Sequence, residues 1–118
     1  VEETFERNVE VIQDVVDASR HARKVFEGVE DLLNSAIDRL RDGESVVDLV
    51  KESRISTERA LVQEALEQLN SARHRFRLRV VGACIEAGMM PREVAEWWGI
   101  SRQRVDQFIQ EYRRNRAN

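Results

Sequence analysis

Apolar residues keep helical time along the first forty positions: Phe5, Val9, Ile12, Val16, Ala22, Phe26, Val29, Leu33, Ala36 or Ile37, and Leu40. Steps of three and four set them on one stripe, opposite a polar face of Glu6, Glu10, Asp14, Asp17, Arg20 and Arg23. A stripe so narrow and so long predicts a coiled-coil-like seam. Gly28 interrupts it, and a mid-helix glycine costs about 1 kcal/mol relative to alanine. The pattern therefore predicts two helices, from about Glu3 to Glu27 and from about Glu30 to Arg41. Asp42-Gly43 is a helix stop, because glycine accepts the left-handed conformation that follows a last turn.

Ser45, with Asp48 three residues later, caps a short helix through about Ser53, and Ser56 caps another through at least Leu69. Asn70-Ser71 reads as a joint. The following RHRFRLRVV alternates like a strand from Arg73 to Val80, yet its residues also fit a helix through Leu69, Ala72, Phe76, Val80, Ala83 and Ala87. No second strand exists to pair with it, so helix is the expectation. The predicted fold is all-α: long N-terminal helices with a seam, then a C-terminal helical unit.

Composition agrees. In 118 residues there are five glycines and one proline, too little turn chemistry for a β-sandwich, and 6% aromatics, a thin core for a chain that is 35% charged. A core spread along helices is most simply completed by a second chain, so a homodimer is the expected state. One cysteine, Cys84, excludes an internal disulfide framework and multi-cysteine zinc sites, and a reducing cytoplasm fits it best. Neither His21 nor His74 stands in a pattern that would activate it, and no glycine loop cradles phosphate, so neither catalysis nor a cofactor is expected. No apolar run approaches the roughly 20 residues that span a bilayer, and VEETFERNVE is unlike a signal peptide. A chain starting at Val1 is expected to be a processed or excised piece of something longer.

The formal net charge of -3 argues against nucleic acid only if charge is spread evenly. It is not. From 71 to 118 there are ten arginines against five carboxylates (Glu86, Glu93, Glu96, Asp106, Glu111), while residues 1–70 carry a net charge of about -8. The division expected is an acidic dimerisation or partner region, 1–70, and a basic domain, 71–118.

The basic part holds PREVAEWWGISRQRVDQFIQ, Pro91 to Gln110. Val94, Trp98, Ile100, Val105 and Phe108 are apolar, Ala95 is small where a second helix would cross closely, and Gly99 suits a turn needing positive φ. Pro91 stands at a first helical turn and Ser101 at a cap. This segment resembles the helix-turn-helix of bacterial DNA-binding proteins, most nearly the trihelical type of sigma factor region four. The departure is tryptophan at 98, where leucine is usual. The resemblance covers about the last 45 residues, and implies double-stranded DNA as partner and regulatory or nucleoid work in the cytoplasm of a bacterium or its phage. Seventeen arginines against two lysines are compatible with a GC-rich genome.

On the second helix of that motif, Gln103, Gln107, Gln110 and Arg114 share the stripe opposite Val105, Phe108 and Tyr112, flanked by Arg102, Arg104, Asp106 and Arg113. Glutamine matches the paired donor and acceptor of adenine and arginine the paired acceptors of guanine. Arg92 and Arg102, near helix N-termini, suit phosphates. Two other readings remain open: the motif binds protein, such as RNA polymerase or another regulator, or the chain targets a larger enzyme to DNA.

A shift of 45 residues lays Gly43 on Gly88, Leu49 on Val94, Ile55-Ser56 on Ile100-Ser101 and Arg59 on Arg104. Either 32–70 is a degenerate second helix-turn-helix or two helical segments are alike by chance. Glu58, Glu64 and Glu67 on its last helix would repel phosphate.

Overall fold

The computed structural model describes residues 2–52 and 54–117, with side chains described for 3–52 and 57–116. It is all-helical, with no strand among the described residues: α1 (Glu2–Arg41), α2 (Val46–Lys51), α3 (Arg54–Glu86), α4 (Pro91–Trp98) and α5 (Arg102–Ala117). RHRFRLRVV is helix, as its apolar spacing and lack of a strand partner predict.

Two expected breaks are absent. α1 runs through Gly28 for 40 residues. A penalty near 1 kcal/mol is too small to interrupt a helix whose flanking residues Val25, Val29 and Leu32 are half-buried. α3 likewise runs through Asn70-Ser71 for 33 residues, where buried Ala65 and Ala72 bracket the supposed joint. It also starts at Arg54, two residues before the Ser56 cap, whose side chain lies outside the described residues.

The apolar positions of α1 belong to two stripes. An inner one, including Val15, Ala22, Val29 and Ala36, is buried or half-buried. An outer one, with Phe5, Val9, Ile12, Val16, Phe26, Leu33, Ile37 and Leu40, is 36–62% exposed.

Contacts group the residues into two units, one of residues up to 13 with those from 72 onward, the other of 14–71. In the second, Arg39 grips both ends of α2. Its guanidinium donates to the two Glu52 oxygens at 2.6 and 2.7 Å and meets Glu44 at 2.5 Å, which holds the Glu52 carboxyl below its ordinary pKa. Ser45 caps α2, its Oγ accepting from Asp48 N–H at 3.1 Å.

The 45-residue likeness extends to the backbone. Asp42, Gly43 and Glu44 N–H donate to the carbonyls of Asp38, Leu40 and Arg39, just as Ala87, Gly88 and Met89 donate to Ala83, Ile85 and Cys84. Gly43 and Gly88 have φ of 99° and 96°. Leu49 and Val94 are both buried, but α2 has six residues against eight in α4, and Ser53, opposite Trp98, lies outside the described residues.

Candidate nucleic-acid interface

In the unit made of residues up to 13 and those from 72 onward, α3 from 72, α4 and α5 build the core that carries the candidate residues. Val81, Val94 and Val105 are wholly buried where they meet, with Leu78, Ala95, Phe108 and Ile109 around them. Each such valine contributes about 1.5–3 kcal/mol by leaving water. The periphery is Cys84, Ile85, Met89, Trp98, Ile100 and Tyr112. Trp98 is half-buried and meets Phe76 edge-on at 6.4 Å, which accommodates its bulk in place of leucine.

Local chemistry sets the turn between α4 and α5. Gly99 takes φ 71°, and the N–H groups of Gly99 and Ile100 both donate to Ala95 O, closing α4. Ser101 caps α5, its Oγ accepting from Arg104 N–H at 3.0 Å. Gly82 answers a different need: a Cβ there would stand 2.2 Å from Tyr112 Cε1, so only glycine lets α5 lie this close to α3.

Polar contacts then fasten α5 to α3. His74 Nε2 lies 2.9 and 3.0 Å from the Glu111 carboxylate oxygens, which accept from it, and its ring is 5.6 Å from Phe108. Tyr112 Oη donates to Glu86 at 2.6 Å, and Arg116 pairs with the same carboxylate. The pairings themselves, unlike the inward place of Tyr112, could not be read from the sequence, because partners 26 to 37 positions apart leave no local spacing.

Burial, together with the Glu86 carboxylate, raises the Tyr112 phenol above its usual pKa of 10.0. The folded chain thus holds this proton more tightly than the unfolded one. The associated stability is present below pH 10.0 and is lost as pH rises through the raised midpoint. Tyr112 is the chain's one tyrosine, so phenolate absorbance follows it alone. We expect a midpoint above 10.0 that falls in Glu86→Gln; an unmoved midpoint would show that the Glu86 contact has no influence.

The outer surface of α5 follows from this anchoring. With Val105, Phe108 and Ile109 inward, Gln103, Gln107, Gln110 and Arg114 are all exposed on the opposite side. Arg104 is exposed, lies over the Phe108 ring at 4.7 Å, and donates from Nη1 to Gln107 Oε1 at 3.2 Å. Arg102 reaches Asp106 at 3.4 Å, one helical turn on, in a pair open to solvent. Arg92 and Arg113 are exposed as well.

No protein family, characterised protein or solved structure matches this chain.

Four of the five carboxylates between 71 and 118 are engaged, and Glu96 stands exposed on α4. Glu86 and Glu111 bind Tyr112, Arg116 and His74, Asp106 binds Arg102, and Glu93 accepts from Met90 N–H at 3.3 Å at the start of α4. What α5 offers outward is amide and guanidinium chemistry. Among the described residues no cluster of His, Cys, Asp and Glu could hold a metal ion, and no helix is long and apolar enough to cross a membrane.

Proposed function

We propose that this chain is a sequence-specific DNA-binding protein, a bacterial or phage transcriptional regulator. α4 and α5 act as a helix-turn-helix and α5 enters the major groove. The observation that carries the reading is the exposed stripe of Gln103, Gln107, Gln110 and Arg114 on the side of α5 opposite its buried face. In the groove, the amides bond base edges, with Arg114 placed for guanine. Arg92, Arg102 and Arg113 neutralise phosphates, Arg104 steadies Gln107, and Asp106 holds Arg102 in place until DNA competes for it.

The test is a random-site selection on the purified chain, followed by fluorescence anisotropy on the enriched duplex across a salt series. An enriched motif and a log–log salt slope of about -2.7 for each bound chain are expected, since each of the three neutralised phosphates contributes about -0.9. Absence of any DNA retention at low salt refutes the reading.

A second reading is favoured by one observation on the preceding helix. Trp97 is 68% exposed and Met90, at its start, 62% exposed. An exposed tryptophan is the kind of side chain that anchors protein interfaces, which suits a partner such as RNA polymerase or another regulator, and a chain that ignores DNA at low salt would be such an adaptor.

A further inference from the structure

We infer that the outer stripe of α1 binds a second copy of this chain, antiparallel, with facing residue numbers summing to about 49. The stripe occupies positions 5, 9, 12, 16, 19, 23, 26, 30, 33, 37 and 40, steps of four and three alternating without a fault. Eight of these positions are apolar and 36–62% exposed, whereas the inner stripe of the same helix is already covered. An unbroken heptad stripe left in water on a 40-residue helix fits a partner helix of similar length.

The three polar positions, Ser19, Arg23 and Glu30, identify that partner. A parallel pair in register would press Arg23 against Arg23 and Glu30 against Glu30, like charges facing each other in the seam. Reversal about the point between residues 24 and 25 removes both conflicts. Val9 then faces Leu40 of the second copy, Ile12 faces Ile37, and Val16 faces Leu33, so six of the eight apolar positions meet apolar partners, while Phe5 lies beyond the paired length. The polar rungs match too: Ser19 faces Glu30, and Arg23 lays its stem and guanidinium on Phe26.

Charges beside the seam agree. Glu6 falls by Arg41 of the second copy and Arg20 by Glu27, each twice by symmetry. A pattern complementary to its own reverse is what a two-fold interface requires, and a different partner gives no reason for it. The paired length, 9 to 40, is about 48 Å at 1.5 Å per residue. The stripe contains no residue of α5, so the inference stands independently of DNA binding.

Spin labels on the full chain test orientation. In a Cys84→Ser background, Lys24→Cys and Glu10→Cys each place one label on the exposed side of α1. The antiparallel pairing brings the two Lys24→Cys labels within about 25 Å of one another. It separates the two Glu10→Cys labels by about 44 Å along the axis. Short distances at both sites mean a parallel pair and overturn the register, and a mass of 13.8 kDa at micromolar concentration overturns the dimer. Arg20→Glu should weaken association about tenfold and the double variant Arg20→Glu/Glu27→Arg restore it. Loss without restoration, with helix content unchanged, rejects the flanking pairs.

Discussion

Gly82→Ala is expected to destabilise the chain by about 1–3 kcal/mol, although alanine is the better helix former. The added Cβ would meet three atoms of the Tyr112 ring at 2.2 to 2.5 Å. The ring cannot simply swing aside, because its hydroxyl is held by Glu86 and its edge packs on the core. Either α5 moves off α3 or the phenol gives up its bond. The diagnostic is a reversal of sign: with Tyr112→Ala in place, Gly82→Ala should become neutral or stabilising, as at any unobstructed helical site. Gly28→Ala is the control, since a Cβ there has nothing within 4 Å, and a gain of up to about 1 kcal/mol is expected. Thermal or urea unfolding of the four variants reads all of this, and equal losses with and without the tyrosine would show the close approach to be wrong.

The proposed DNA reading predicts loss of discrimination in Gln103→Ala/Gln107→Ala as the second large effect. A well-made bidentate contact to a base contributes about 1–3 kcal/mol of preference, so the double variant should lose about a hundredfold or more between the selected site and random duplex. Binding to random duplex should hardly change, because neither amide neutralises a phosphate. Arg102→Ala is the mirror image: affinity falls on every sequence, and the salt slope becomes shallower by about one. Its magnitude is tempered by Asp106, which holds Arg102 at 3.4 Å and on the proposed reading would have to release it to a phosphate. Competition anisotropy separates the outcomes, and unchanged discrimination in the double variant would remove the amide stripe from the recognition surface.

How far the residues alone led depends on the range of the interaction. The short elements were legible because their causes are local: Ser45 and Ser101 cap helices through bonds to backbone three residues on, and Gly43 and Gly99 supply positive φ where helices end. The face of α5 that points outward was legible too, since helical periodicity alone sets Gln103, Gln107, Gln110 and Arg114 opposite Val105 and Phe108. The breaks expected at Gly28 and Asn70-Ser71 failed for a common reason. A propensity penalty is about 1 kcal/mol, and half-buried or buried side chains on either side outweigh it.

The seam of α1 shows the division most clearly. By itself the sequence determined that α1 is helical and carries apolar residues in steps of three and four. It could not divide them, because Val15 and Val16, or Ala36 and Ile37, are chain neighbours that differ by only part of a helical turn. Only the tertiary structure decided which stripe the chain covers for itself and which it leaves in water, since that depends on where the other helices lie. The same holds for His74 with Glu111 and for Gly82 with Tyr112: each pairing spans 30 or more residues and exists only once the helices have packed. Periodicity is a property of one helix, whereas burial is a property of several.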